Sequence, residues 1–167
     1  MNKAAKTIVI LGGGVGGLVA ANELRQLVPS EHRIVLIEKN RQHAFAPSFL
    51  WLMTGDRRPK QISRDVQLLV QKGVELLHGE ARGIDLAAHR VETSIGSVTY
   101  DFLVVALGAE LAPDTAPGLA ESAQTFYTLM ALTNCAVCFA TSTGERSPLS
   151  WRHSRSSVLP RPMKARC

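Results

Sequence analysis

A glycine run placed between two apolar strands constrains this chain more than any other feature. Thr7-Ile8-Val9-Ile10-Leu11 is apolar and largely β-branched, and Gly12-Gly13-Gly14-Val15-Gly16-Gly17 follows it directly. An unalternated apolar run reads as a strand buried on both faces of a parallel sheet. A helix is expected from about Gly16 to Val28, closed by Pro29, and Arg33-Ile34-Val35-Leu36-Ile37-Glu38 reads as a second buried strand. Together they make one right-handed βαβ unit.

Within that unit, Gly12-x-Gly14-x-x-Gly17 has the spacing of a dinucleotide fingerprint. The first glycine permits the tight strand-to-helix turn, the second lets backbone approach a pyrophosphate, and the third lets helix pack on strand. Free N–H groups at the helix start would face the phosphates. Glu38, at the end of the second strand, is placed to accept hydrogen bonds from adenosine ribose hydroxyls, and its charge disfavours a 2′-phosphate. The competing reading of Glu38 is a strand-end carboxylate facing water.

Further along, His43 to Pro59 is irregular and carries Phe45, Pro47, Phe49 and Trp51. It reads as a loop, with Phe49 and Trp51 as packing residues. Ser63 reads as the N-cap of a helix through Lys72 that Gly73 closes, and Val74 to His78 as a third strand. From Gly79 to Tyr100, short alternating runs broken near Asp85 and at Gly96 predict a small antiparallel meander. Asp101 to Leu107 reads as another buried strand ended by Gly108, and Pro113 and Pro117 mark an extended connection. His43, His78 and His89 are scattered and read as solvated or structural histidines, and Arg57-Arg58-x-Lys60 as a solvated turn.

The opening motif, the loop His43-Ala44-Phe45-Ala46-Pro47-Ser48 and the strand Tyr100 to Ala109 resemble the two-dinucleotide-binding flavoproteins. Within that superfamily the likeness is to sulfide:quinone oxidoreductases and flavocytochrome c sulfide dehydrogenases, over roughly Thr7 to Leu129. The resemblance implies FAD as cofactor, held around Gly12, Gly14, Val15, Gly16, Gly17, Glu38, Lys39, Ala81, Ala106 and Gly108. It also implies a small-molecule redox substrate, sulfide or quinone. Catalytic residues are not identified by it, and an NADH:quinone dehydrogenase-like flavoprotein or a nucleotide-binding module without catalysis stand as alternatives. The fold class expected is α/β: an incomplete Rossmann-like βαβ FAD-binding domain over 1–112 with the small meander, a connection over 113–129, and a disordered tail over 130–167.

Charge and cysteine bear only on that tail. Before Met130, Lys and Arg equal Asp and Glu; beyond it Arg146, Arg152, Arg155, Arg161, Lys164 and Arg166 face Glu145 alone, which is the whole net charge of +5. A nucleic-acid partner is therefore not indicated. Cys135-x-x-Cys138 has no second ligand pair at zinc spacing, so no metal is expected. From Met130 the sequence reads as a shifted frame: combining each residue's first two codon bases with the free third base before them allows V-A-S-L-P-F-K-C-P-A-A-P-Y-E-G-A-M from Trp151 to Cys167. That string resembles the segment bearing a redox cysteine in sulfide-oxidising flavoproteins, which implies a truncated relative lacking full activity. No apolar run reaches the roughly 20 residues of a membrane span, and the start lacks a signal-peptide pattern, so membrane association is not expected and cytoplasmic residence is.

Overall fold

The computed structural model describes residues 4–122 and 125–132, and divides the chain into two units. The first comprises residues 1–43 and 64–111, the second residues 44–63 and 112–167.

The first unit is built on a four-stranded parallel sheet. Its strands are β1 (Thr7–Leu11), β2 (Arg33–Glu38), β5 (Val74–His78) and β9 (Phe102–Val105), in the order β5-β2-β1-β9. Side chains alternate across it. Ile8, Ile10, Ile34, Leu36 and Val74 face helix α1 (Val15–Leu27), where Leu18 and Ala21 meet them. Val9, Leu11, Val35 and Ile37 face the other way, toward Val91 and Tyr100. Cover on both faces is why β1 and β2 show no polar alternation. Fully burying each Ile or Leu contributes about 1.5–3 kcal/mol.

The second face is covered by the expected meander, a three-stranded antiparallel sheet of β6 (Ala81–Asp85), β7 (Arg90–Thr93) and β8 (Gly96–Thr99). The fold is thus α/β with a Rossmann-like FAD-binding architecture and a small antiparallel layer, as the sequence implied.

Three local expectations are corrected. Ser63 to Lys72 is not a helix: β4 (Ser63–Asp65) pairs with β3 (Gln42–Ala44), and a 3-10 turn runs over Val66–Leu68. Asp65 opens that turn by accepting from the Gln67 N–H at 2.8 Å. Asn22 of α1 then takes the backbone groups a helix would use, donating to Leu69 O and accepting from the Gln71 N–H, both at 2.9 Å. Gly73 does adopt a left-handed φ of +95°, but it closes a turn rather than a helix. The connection near Pro113 is not extended either, since Pro113–Thr115 forms a 3-10 turn and α4 spans Leu119–Ser122.

In the second unit the segment read as a loop contains α2 (Phe49–Met53) and α3 (Pro59–Ile62). Leu52, Ile62 and Leu132 form its buried cluster, with Phe49 packed against it. Trp51 is half exposed, and the Arg57 guanidinium lies 4.7 Å from its ring centre, so neither is a plain packing residue or a free cation. Among the described residues no helix is long and apolar enough to cross a membrane. The segment beyond Leu132, with Cys135, Cys138 and Cys167, lies outside the described residues.

Candidate site at the carboxyl end of the parallel sheet

Strand order places a switch point between β1 and β9. From β1 the chain moves outward through β2 to β5, and it returns to β1's other side as β9. Parallel neighbours whose connections leave in opposite directions open a crevice at their carboxyl ends. Gly12 follows β1, and Ala106, Leu107 and Gly108 follow β9. A cleft of about 480 Å³ lies there, lined by Gly12, Ile37, Glu38, Lys39, Asn40, Glu80, Ala81 and Leu107 to Glu110.

The glycines divide into two pairs with different duties. Gly12 has φ +96°, and a Cβ on it would stand 2.5 Å from Ala106 O. A Cβ on Gly17 would stand 1.8 Å from Gly12 O. These two are glycine because the turn itself leaves no room. Around Gly14 and Gly16, by contrast, an added Cβ meets nothing within 4 Å, and Gly14 has an ordinary φ of −68°. Among the described residues nothing stands in the way of a Cβ at those two positions.

Helix α1 begins beside this cleft, its N-cap two residues after Gly12, without a side-chain cap. Gly14 at its N-cap offers no side-chain bond, and the first turn carries no acid. The first intrahelical bond runs from the Leu18 N–H to Gly14 O at 3.0 Å. The N–H groups of Gly14, Val15, Gly16 and Gly17 have no acceptor among the described residues. Four free donors and the positive end of the helix dipole make a place that favours an anion.

Glu38 sits at the edge of the same cleft. Its carboxylate accepts from the Gly13 N–H, and from the Asn40 N–H at 2.7 Å. A carboxylate offers about four lone-pair positions, so two remain. Glu38 is therefore tied into the turn rather than simply facing water. Lys39 lies 3.8 Å from Glu80, an exposed pair of little energetic weight. Ala81 begins β6 and lines the cleft, while Gly108 takes φ +77° where β9 ends. Ala106 donates its N–H to Leu11 O at 2.8 Å, which lays its backbone against Gly12. All ten predicted positions thus fall around one turn or the cleft beside it.

Two residues of the turn were not anticipated. Gly13 is held on both sides, its N–H by Glu38 and its carbonyl by His43 Nδ1 at 3.1 Å. A Cβ on Gly13 would stand 2.8 Å from Glu38 Cγ. The sequence reads His43 as solvated or structural; its contact lies 30 residues away in the chain, and no local signal points to it. His89 packs beside Tyr100 with ring centres 5.4 Å apart, and His78 pairs in register with Glu38 on β5, consistent with structural roles.

A second cleft, of about 540 Å³, lies at the sheet's amino end. It is of similar size, and both of its arginines are engaged within the protein. Arg25 donates to the carbonyls of Val28, Pro29 and His32 at 2.7–2.9 Å, and Arg33 makes a two-pronged ion pair with Glu75 at 2.8 Å. Arg33 holds the Glu75 carboxyl below its ordinary range, chiefly by that hydrogen bond. Among the described residues no cluster of His, Cys, Asp or Glu could hold a metal.

Comparison with known proteins agrees with this geometry. Residues 6–145 match the family described as pyridine nucleotide-disulphide oxidoreductase. The sulfide-quinone reductase of Aquifex aeolicus is 38% identical over 109 residues, covering 64% of this chain and 25% of the relative. Demethylphylloquinone reductase NdbB of Synechocystis is 34% identical over 138 residues, covering 77% of this chain and 34% of the relative. The crystal structure of the Aquifex aeolicus sulfide:quinone oxidoreductase superposes with a TM-score of 0.75 and 30% identity, over 84% of this chain and 33% of that one. The chain spans about a quarter to a third of the length of these relatives.

Proposed function

Because the chain belongs to the pyridine nucleotide-disulphide oxidoreductase family of FAD-binding flavoproteins, we propose that its first unit holds the ADP half of FAD and that the chain is the N-terminal part of a flavin-dependent quinone reductase of the sulfide:quinone type. The observation that carries the reading is the pairing at the switch point: four free N–H groups at the start of α1, beside glycines that open into empty space.

The pyrophosphate would lie on the N–H groups of Gly14, Val15, Gly16 and Gly17, where backbone donors meet its charge without a side chain intervening. Glu38 would accept from the ribose hydroxyls through its two remaining lone pairs, and Lys39 and Ala81 would border the adenosine. Gly12 and Ala106 keep the turn closed under the phosphates, and Gly108 lets the chain leave β9 without filling the cleft. FAD, when bound, supplies an acceptor for an electron pair that is passed on to a second substrate. The protein's contribution over the described residues is binding and orientation.

The quinone as acceptor is favoured because two differently named relatives carry it in their names: the sulfide-quinone reductase above and the type II NADH:quinone oxidoreductase NdhA of Mycobacterium tuberculosis, 37% identical over 109 residues, 62% of this chain and 23% of that relative. Sulfide as donor rests on the higher of those two identities and on the Aquifex aeolicus fold.

Titration of the purified chain with ADP and with FMN tests the cofactor half of the reading. ADP should bind with dissociation constants in the micromolar range and FMN, which lacks the adenylate, should not, as expected for a few charge-assisted hydrogen bonds worth about 1.5–3 kcal/mol each. FMN binding with no response to ADP would remove it.

A further inference from the structure

We infer that His43 is a positioning residue for the phosphate-binding turn. By donating from Nδ1 to Gly13 O, it holds the Gly13–Gly14 peptide so that the N–H groups of Gly14 and Gly17 are kept for a pyrophosphate. The inference rests on the reading of the cleft as an ADP site.

The roles in this contact are fixed by chemistry. A carbonyl oxygen only accepts, so His43 Nδ1 carries the proton of the 3.1 Å bond. The described chain has no cis peptide bond, and in a trans peptide the C=O and the following N–H point in opposite directions. Drawing Gly13 O toward His43 therefore turns the Gly14 N–H the other way. A second effect follows from helical bookkeeping. In an α-helix the Gly17 N–H would bond to Gly13 O, four residues back. Gly14 at the N-cap is extended, with ψ −176°, which leaves Gly13 O outside the helical ladder where His43 holds it; α1 starts one residue later, on the Leu18 N–H to Gly14 O bond, and Gly17 keeps its donor.

Glu38 secures the other side of the same residue through the Gly13 N–H. Glycine at 13 has no side chain to resist rotation, so without these two contacts its peptides would be free to turn. His43 stands at the centre of β3 and reaches Gly13 from a short paired strand rather than from an unpaired loop. A site preorganised in this way loses less on ordering when the anion arrives.

The test uses the full-length chain and NMR titration with two probes, ADP and adenosine. His43→Ala should weaken ADP about five- to tenfold, the range of one hydrogen bond, and leave adenosine unchanged, because only ADP carries the diphosphate. His43→Asn places its amide nitrogen as many bonds from Cα as Nδ1 and should restore ADP affinity. His43→Gln places it where Nε2 stood and should not. A merely structural role would affect ADP and adenosine together and would not distinguish Asn from Gln. Wild-type ADP affinity in His43→Ala, equal losses for both probes, or equal behaviour of the Asn and Gln variants would overturn the inference while leaving the ADP site intact. Failure of the wild-type chain to bind ADP would overturn the reading beneath it.

Discussion

The two ends of α1 are treated in opposite ways. At its C-terminus, Arg25 donates to three carbonyls, and Arg33 and Glu75 neutralise each other nearby. At its N-terminus there is no side-chain cap and no acid in the first turn, and four N–H groups have no acceptor among the described residues. Helix ends usually find partners within the protein or in water. One end has them and the other is surrounded by glycines, a difference that supports the ADP site proposed above. Cleft size does not discriminate between them, since the two volumes are similar.

The sharpest way to break the comparison is within the glycine motif. Gly17→Ala would place a methyl 1.8 Å from Gly12 O, with backbone on both sides of the contact. It should destabilise the fold by about 3 kcal/mol or more, seen as a fall of roughly 10 °C in Tm. An unchanged melting curve would mean that the turn is not held this tightly. In Gly14→Val the new Cβ meets no atom within 4 Å, and φ stays in a permitted region. It should melt as wild type does, yet weaken ADP about 100-fold through loss of two charge-assisted hydrogen bonds. Retained ADP affinity would show that the backbone there does not approach a phosphate.

Next in size is the satisfied end. Arg25→Met keeps much of the aliphatic stem but removes the donor of the Val28 and His32 carbonyls, and leaves the Pro29 carbonyl with the His32 N–H alone. A loss of about 2 kcal/mol in chemical denaturation is expected, with ADP affinity unchanged. Altered ADP binding in this variant would join two ends that the account keeps separate.

The smallest effect concerns Asp101, which binds the Lys6 ammonium at 2.7 Å and accepts from the Thr7 N–H at 2.8 Å. Lys6 first, then the Thr7 N–H, hold its carboxyl below the ordinary carboxylate range. A lowered folded pKa gives stability that is present above the unfolded value near 4 and lost as pH falls through the folded one. Melting temperature should therefore drop on acidification from about pH 5 toward pH 2, and Asp101→Asn should show a shallower drop. Identical slopes would remove Asp101 from the pH dependence.

What could be read from the sequence followed from how locally it was encoded. The β1-α1-β2 unit declares itself because burial on both faces leaves its strands continuously apolar, and because a turn with no room for Cβ demands Gly12 and Gly17. The meander shows through its own alternation and turns. Residues 63–72 were misread because the side chain that reorganises them, Asn22, lies 47 and 49 positions away from its partners Leu69 and Gln71. His43 escaped for the same reason, since its partner Gly13 is 30 residues earlier. Spacing alone singles out Glu38 as a candidate, but its bonds to the Gly13 and Asn40 N–H groups are visible only in three dimensions.

The most direct measurement is an amide-resolved NMR titration of the purified chain with ADP. The account predicts large shifts at Gly13, Gly14, Val15, Gly16 and Gly17, smaller ones at Glu38 to Asn40 and Ala81, and none around Arg25, His32, Gly73 and Glu75. Shifts concentrated at that second set, with the glycine turn unmoved, would contradict it.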